Sequence, residues 1–439
     1  MKPRNLLIAA LVLAALSGVV WYSKQHPPSS SPATASSTNP KLVDIPEKDV
    51  RSIDLKKKDS SVVTLDREGG KWNITAPAQY RADSDAVSSV LSSLSPVSAD
   101  NVVEDKAGDL AKYGLNTPAL SITVHRTNGK SDQIQFGDDV PAGSLVYARV
   151  NADSKVYAVA SSVKSSLDKS ANDLRDKRLL TFDTNKLTRL ELASAKSDIE
   201  FGKNGGNEWQ IIKPQPSRAD SFQVEELVRK LGDAKMDLSG SADDATKAAA
   251  AYAKGSPVST VKVSDASGTQ TLAVRKNKDD YYAKSSLISG VYKIPADTGK
   301  ALDKSLDDFR NKKIFDFGFS DPTKIDIQSG SGNKLLTRSG TDWKMNEKTM
   351  DSGTVQAFLD KLRDLAARKF LNTGFTSPSV TVTVTSNEGK RTEKVEFSKT
   401  GDGYIARREN EAAQYQLDAK SVNDILEASS AIKLAAAKK

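Results

Sequence analysis

Apolar side chains recur at helical spacing once in each third of the chain. Residues at i, i+3, i+4 and i+7 lie on one stripe of a helix, so the pattern predicts three amphipathic helices. The stripes are Val87, Val90, Leu91 and Leu94; Val224, Leu227, Val228 and Leu231; and Val355, Phe358, Leu359 and Leu362. An aspartate stands four residues ahead of each stripe, at Asp83, Asp220 and Asp351. Its side-chain oxygen can accept bonds from the free N–H groups of the first turn, which predicts an N-cap.

A tryptophan in an alternating, strand-like segment precedes each helix. Trp72, Trp209 and Trp343 lie 137 and 134 residues apart. Apolar pairs two residues apart come before them and point to one sheet face; they are Ile53 and Leu55, Leu190 and Leu192, and Ile325 and Ile327. Large aromatic side chains at one repeated position are typical of core anchors. A ligand stack is the less favoured interpretation.

Each helix is followed by a second run of strand patterns. Pro118, Pro257 and Pro378 stand at strand entrances, where a proline removes no ladder hydrogen bond. Later strands are predicted to end at tyrosines, and polar linking helices are predicted at 167–170 and 302–305; the tyrosines are Tyr157, Tyr292 and Tyr415. The predicted fold class is α+β: three tandem repeats, each an antiparallel sheet with an amphipathic helix, after one N-terminal transmembrane helix.

The N-terminus has the pattern of a membrane anchor. Lys2 and Arg4 precede an uncharged run from Leu6 to Val20, and basic residues ahead of such a run keep that end in the cytoplasm. A cleaved signal peptide is the alternative, since the run is short for a spanning helix. The predicted organisation is an anchor at 1–22, a Pro/Ser/Thr-rich tether at 23–42, and repeat modules at 43–178, 179–313 and 314–439.

Composition narrows the chemistry. The 439 residues include no cysteine, which excludes disulfides and thiolate metal sites, and only two histidines, His26 and His125. The net charge is +8, but the excess is spread along the chain instead of forming the dense basic stripe that nucleic acid requires. We therefore expect a mixed-charge surface and no nucleic-acid partner.

Short motifs that mimic catalytic signatures do not have the required context. Ser161-x-x-Lys164, Ser170-x-Asn172 and Lys399-Thr400-Gly401 imitate the three elements of serine acyl-transfer enzymes. Too few residues separate the first two elements, and the third lies two repeats away. The aspartate pairs at 138–139, 243–244, 279–280 and 307–308 lack the spacing of a calcium loop. We expect no enzyme, no cofactor, and no catalytic, cofactor-binding or metal-binding residue.

One stretch resembles a bacterial repeat family known only as domain of unknown function 4340. It runs Tyr113-Gly114-Leu115-Asn116-Thr117-Pro118, with Trp72 and Pro77 before it and Leu174-Arg175-Asp176-Lys177 after it. Later repeats keep less of it: Tyr252 and Pro257 in the second, and Gly374-Phe375 and Pro378 in the third. The resemblance implies association with Gld-like ABC transporters, whose permease, ATPase and auxiliary envelope subunit would be the partners. It brings no catalytic residues.

Two classes of function remain open from the sequence. The first is a non-catalytic, membrane-anchored periplasmic accessory or scaffold subunit of a Gld-like ABC transporter system. The second is a free-standing extracytoplasmic module that binds glycan or peptidoglycan. In both, the chain is expected at the inner (cytoplasmic) membrane of a bacterial cell envelope as a single-pass protein, with its C-terminal body in the periplasm or extracytoplasmic space.

Overall fold

The computed structural model describes residues 39–141, 143–238, 244–318, 322–330, 332–401 and 403–436. Two compact units divide at the bond between Asp176 and Lys177. Each unit is built from antiparallel sheets whose inner faces carry the apolar side chains. The predicted anchor, His26 and most of the predicted tether lie outside the described residues.

The first unit contains one large sheet and one small sheet. The large sheet has the order β5-β4-β3-β2-β8-β9-β10-β11-β7, so two meanders meet at the central pair β2 and β8. β1 pairs with β6 in a separate two-stranded sheet. The elements are β1 (Lys41–Val43), β2 (Val50–Lys57), β3 (Val63–Glu68), β4 (Lys71–Ala76), β5 (Tyr80–Arg81), α1 (Ser84–Ser93), β6 (Val97–Ser98), β7 (Asn101–Glu104), β8 (Leu120–Arg126), β9 (Ser131–Asp139), β10 (Leu145–Val150), β11 (Val156–Ala160), α2 (Ser161–Leu167) and α3 (Ala171–Leu174).

The second unit contains two sheets built on the same plan. In the first of them the strand order is β15-β14-β13-β12-β16-β17-β18-β19. Its elements are β12 (Arg189–Ser194), β13 (Asp198–Lys203), β14 (Trp209–Lys213), β15 (Ser217–Arg218), α4 (Ser221–Gly232), α5 (Asp244–Lys254), β16 (Ser256–Asp265), β17 (Gly268–Asn277), β18 (Asp280–Ser285), β19 (Tyr292–Ile294), α6 (Ala296–Ala301) and α7 (Leu306–Phe309).

The other sheet of the second unit has the order β23-β22-β21-β20-β25-β26-β27-β28-β24. Its central pair, β20 and β25, corresponds to β2 and β8 of the first unit. The elements are β20 (Lys324–Ser329), β21 (Gly332–Ser339), β22 (Asp342–Met345), β23 (Lys348–Thr349), α8 (Ser352–Asp364), β24 (Lys369–Leu371), β25 (Val380–Ser386), β26 (Arg391–Thr400), β27 (Gly403–Arg408), β28 (Gln414–Asp418) and α9 (Ala419–Ser430).

Three separate hydrophobic cores lie on these three large sheets. Each core contains one of the predicted tryptophans, and Trp72, Trp209 and Trp343 are only 7%, 4% and 5% exposed. The predicted apolar stripes lie in α1, α4 and α8, except that Leu94 is the C-cap residue after α1, and all of them point into the same cores. The alternation of apolar and polar side chains along each strand explains why one sheet face is buried while the other stays polar. The prediction of tryptophan core anchors is confirmed.

The predicted N-caps are confirmed as well. The carboxylates of Asp83, Asp220 and Asp351 accept hydrogen bonds from the amides of the first turns of α1, α4 and α8. The amides of the same three aspartates donate to the carbonyls that end the corresponding module. Each of these three bonds is 2.8 Å long, and the acceptors are Leu174, Phe309 and Lys433. The start of each amphipathic helix is therefore bonded to the end of its own repeat.

The predicted fold class is wrong in its balance of helix and strand. Among the described residues, 28 strands in four antiparallel sheets stand against nine α-helices of at most 13 residues, so the protein is mainly β. The sequence reading gave the helices too much weight because a stripe of four apolar residues is a strong signal. Strands of two residues, such as β5 and β23, are too short to show any periodicity.

The predicted linking helices also need correction, whereas the predicted N-terminal membrane helix lies outside the described residues. Residues 168–170 and 302–305 separate pairs of short helices, and Ser170 and Ser305 form capping boxes there. Such a cap requires a non-helical residue, so one continuous helix is excluded at each position. Tyr157, Tyr292 and Tyr415 lie at or next to the start of their strands, not the end. Within the described part of the chain, no helix is long and apolar enough to cross a membrane.

Candidate functional site

The motif that carries the family resemblance packs against the large sheet of the first unit. Tyr113 ends a 3-10 turn (Leu110–Tyr113), and Gly114 closes it with a φ of 65°, a conformation that favours glycine. The Tyr113 hydroxyl donates to Glu104 over 2.5 Å, and its ring packs edge-on against Tyr147 at 4.9 Å. A Cβ on Gly137 would lie 2.0 Å from the Tyr113 carbonyl oxygen. These residues are needed for close packing, so the motif is architectural.

His125 is held in a chain of polar side chains across the solvent face of the same sheet. Its Nδ1 lies 2.9 Å from the Ser131 hydroxyl, and its Nε2 lies 3.1 Å from an Asp54 carboxylate oxygen. The residue types are those of a hydrolytic triad, which the sequence did not predict. His125 and Asp54 are 35% and 33% exposed, however, so water competes for any charge that would develop there. We interpret these contacts as ordinary hydrogen bonds between polar side chains on neighbouring strands.

The residues of the acyl-transfer mimic have structural roles. The Lys164 ammonium donates to the Gly137 carbonyl over 3.3 Å and lies 3.8 Å from Asp139. Ser170 caps a helix together with Asp173. Lys399 lies near the end of strand β26, beside the turn to β27.

The aspartate pairs make ordinary structural contacts where the structure describes them. Asp280 pairs with Lys293 at 2.9 Å, and Asp308 completes the capping box of Ser305. Asp243 lies outside the described residues. Among those described, no group of three or more histidine, aspartate or glutamate side chains is placed to hold a metal ion.

The densest buried charge cluster lies where the second and third repeats meet. Arg218, on β15, extends its guanidinium to Glu411, with 2.7 Å between Nε and Oε1. Arg408 donates to the same carboxylate oxygen over 2.8 Å and to Glu393 over 3.0 Å. The Tyr415 hydroxyl donates to the second oxygen of Glu411. We call these five residues the junction network.

The backbone of the connecting segment takes part in the same network. The Ile314 carbonyl accepts from Arg408, and the Lys313 carbonyl accepts from Arg218 over 2.5 Å. The Asp316 amide donates to the Glu393 carboxylate over 3.0 Å. Side chains from both repeats therefore bind the segment that joins them, which fixes the two repeats to one another.

The electrostatics of the network favour the charged form of its acid. Burial by itself would raise the pKa of Glu411, but the positive charges of Arg218 and Arg408 outweigh burial and lower it. Burial raises the pKa of Tyr415 to about 12, and the nearby Glu411 charge acts in the same direction. The tyrosine therefore stays protonated and can donate its hydrogen bond at any physiological pH.

A groove of about 380 Å³ opens beside the network. We call it the junction groove; its charged lining residues are Glu208, Arg218, Asp220, Lys312, Lys313, Asp316 and Arg391, and the exposed Phe222 lines it as well. Phe222 is 71% exposed, the highest value among the large apolar side chains that the structure describes. Arg391 lies 3.5 Å from Asp316 and 3.7 Å from Glu208, beyond good hydrogen-bond distance.

Sequence reasoning missed the junction network, although part of its signal was present. Arg81 and Arg218 each stand two residues before a capping aspartate, in the sequence Arg-Ala-Asp-Ser at 81–84 and 218–221, where only a helix start was predicted. Glu393 shares the inward face of β26 with buried Val395, and Arg408 shares that of β27 with buried Ala406. Charged residues at inward positions of a strand indicate a buried ion pair, because an unpaired charge is costly there.

Comparison with known families gives one clear result. The profile of "Domain of unknown function (DUF4340)" matches residues 72–213 and 209–383, which together cover more than half of the chain. The chain belongs to the DUF4340 family. The earlier resemblance is thereby confirmed, but the match does not show an association with Gld-like transporters.

Other comparisons add no functional information to this DUF4340 protein. No curated protein matched it. Two solved structures aligned at 7% identity are sliding clamps of Pseudomonas aeruginosa: the DNA polymerase sliding clamp with ligand and the DNA polymerase III subunit beta. The alignments cover 86% and 85% of this chain and 93% and 92% of those chains, with TM-scores of 0.16 and 0.15. Scores this low support no argument about fold or function.

Proposed function

We propose that this protein is a non-catalytic, extracytoplasmic scaffold held at the inner membrane as an accessory subunit of a Gld-like ABC transporter system. The observation that carries the proposal is the junction network. Removing four charged side chains from water is costly, and such networks are best explained where they specify one geometry. A fixed arrangement of two repeats provides a continuous docking surface.

The serine, lysine and aspartate side chains of the catalytic-like motifs support a scaffold over an enzyme. Ser170, Lys164 and the repeated aspartates cap helices or bind backbone groups. The buried ion pairs of the junction network hold the two repeats in position and do not form an accessible reactive group. The link to a Gld-like transporter comes from the family resemblance alone, and the permease, ATPase and auxiliary envelope subunit are the proposed partners.

The test of partnership is recovery of the complex from membranes. Full-length protein should be purified after gentle solubilisation, and the co-purifying proteins identified by mass spectrometry. Permease and ATPase subunits are expected with the natural chain and should be reduced with Arg218→Gln, which loosens the junction. Lys399→Gln, remote from the junction, is the matched control and should keep them. Recovery of cell-wall fragments instead would support the glycan-binding alternative and contradict the transporter assignment.

Topology needs a separate test. A reporter active only outside the cytoplasm, fused after Lys439, should be active. The protein should also stay in the membrane fraction after a carbonate wash. Release into the soluble periplasm would contradict retention at the membrane, and an inactive reporter would contradict export of the body.

A further inference from the structure

Four cationic side chains line the junction groove, and hydrogen bonds fix the backbone of the segment that carries two of them. Lys312 and Lys313 lie on the connecting segment, where the Lys312 carbonyl accepts from the Ala367 amide over 2.8 Å and the Lys313 carbonyl accepts from Arg218. Both lysine side chains are exposed, and among the described residues neither lies within ion-pair distance of a carboxylate. Their positions are fixed by backbone bonds, while their ammonium groups remain available to a ligand.

The two arginines of the groove also have spare hydrogen-bonding capacity. Nη1 of Arg218 is buried, makes no hydrogen bond, and lies 3.7 Å from Asp316. The contacts of Arg391 with carboxylates are 3.5–3.8 Å long. A guanidinium forms its strong bonds to carboxylate below about 3 Å, usually in pairs. Arg391, which is 32% exposed, can therefore donate to a better-placed carboxylate.

The acidic residues of the groove are already engaged. Asp220 caps α4, and Asp316 accepts from the Asn311 side-chain amide over 3.2 Å. Four cationic groups stand against three carboxylates in the lining, so the groove keeps one excess positive charge. Phe222, on the first turn of α4, adds an exposed aromatic surface at the same place. Arginine beside an aromatic side chain is the typical composition of a protein-binding hot spot.

We infer that the junction groove binds an acidic segment of a partner protein, with a carboxylate placed on Arg391 and an apolar side chain packed against Phe222. The volume of the groove suits a few side chains and not a folded domain. The inference rests on the proposed scaffold function only in requiring a protein partner. That partner need not be the transporter.

The test measures binding of a defined probe to the full-length protein in detergent. The probe is a fluorescein-labelled peptide of alternating glutamate and leucine, compared with the same peptide carrying lysine in place of glutamate. The acidic peptide should bind, and binding should weaken as salt is raised. Arg391→Gln should weaken it roughly 10-fold, the usual effect of losing a hydrogen bond to a charged group. Phe222→Ala should weaken it as well, and circular dichroism checks that both variants fold.

Lys399→Gln is the matched control for charge. Lys399 lies eight residues from Arg391 on the same strand and face, about 26 Å away at the rise of a β-strand. Equal binding by the natural chain, Arg391→Gln and Lys399→Gln would overturn the inference. So would a lack of binding by the acidic peptide, or binding of phosphatidylglycerol vesicles with the same dependence on Arg391.

The outcome separates this inference from the proposed function. If Arg391→Gln weakens peptide binding as expected while no transporter subunit co-purifies with the natural chain, the groove inference stands and the transporter assignment fails. If transporter subunits co-purify equally with both proteins and the peptide does not bind, the scaffold role stands and the groove inference fails.

Discussion

Replacing Arg218 with glutamine is the sharpest perturbation of the junction, because one side chain links the two repeats. The change removes the 2.7 Å bond to Glu411 and the bond to the Lys313 carbonyl. The Arg218 side chain is 12% exposed and that of Glu411 is 10% exposed. Little water can therefore reach the glutamate to replace the lost partner.

The expected loss of stability depends on the partners that Glu411 keeps in the variant. Removing one partner of a buried ion pair costs about 3–5 kcal/mol when the other charge is left alone. Glu411 keeps Arg408 at 2.8 Å and the Tyr415 hydroxyl, so we expect a cost near the lower end, about 3 kcal/mol. Lys394→Gln breaks an exposed pair of 3.5 Å with Glu409 and should cost at most about 1 kcal/mol.

Hydrogen exchange of the full-length protein measures the effect where it occurs. A loss of about 3 kcal/mol makes local opening roughly 100-fold more frequent, so the amides of Asn311, Ile314 and Asp316 should exchange faster by about that factor. Their acceptors are the Arg218 carbonyl, the Leu365 carbonyl and the Glu393 carboxylate. A change below about fivefold, or one equal to that of Lys394→Gln, would refute the assignment of the network as the lock between the repeats.

Three further predictions follow from single sites. The pKa of Tyr415 is about 12 in the folded state and near 10.0 in the unfolded chain. The free energy of unfolding should therefore fall as the pH rises from 10 to 12, by roughly 1.4 kcal/mol per pH unit. Urea unfolding at pH 9 and 11 should show a smaller loss of stability for Tyr415→Phe than for the natural chain. Gly137→Ala should destabilise the first module, since its Cβ would meet the Tyr113 carbonyl, whereas Gly108→Ala, which meets nothing within 4 Å, should not alter the melting temperature. Trp343→Ala should cost about 3–5 kcal/mol, and hydrogen exchange should locate the loss in the third core; equal acceleration in the second core would contradict separate cores.

The sequence predicted the features that have a local cause. The helix stripes, their aspartate caps and the buried tryptophans each depend on residues within one or two turns or strands, so periodicity identifies them. The strand pairs Ile53/Leu55 and Leu190/Leu192 were predicted for the same reason, and all four side chains are buried. The overall fold class was wrong because strands of two residues show no periodicity, so the helices received too much weight.

The junction could not be predicted from the sequence, because its partners are far apart along the chain. Arg218 and Glu411 are 193 residues apart, and Arg408 reaches a carbonyl 94 residues away. The alternation of inward and outward positions along β26 and β27 could have identified Glu393 and Arg408 as buried charges, but not as part of the network that contains Arg218. The junction groove depends further on where the connecting segment places Lys312 and Lys313, which follows only from the tertiary structure.

The residues covered by the family match indicate which part of the chain forms the repeating unit. The first part of the match begins at Trp72 in β4 and ends at Lys213, the last residue of β14; its second part begins at Trp209, the first residue of β14. The first part therefore runs from one tryptophan strand to the next, and the second runs past Trp343 to residue 383; both include a segment that connects successive modules. The connecting segment is thus part of the family pattern as much as the sheet is. A role in which neighbouring repeats hold a defined geometry accounts for that better than one in which each module acts alone.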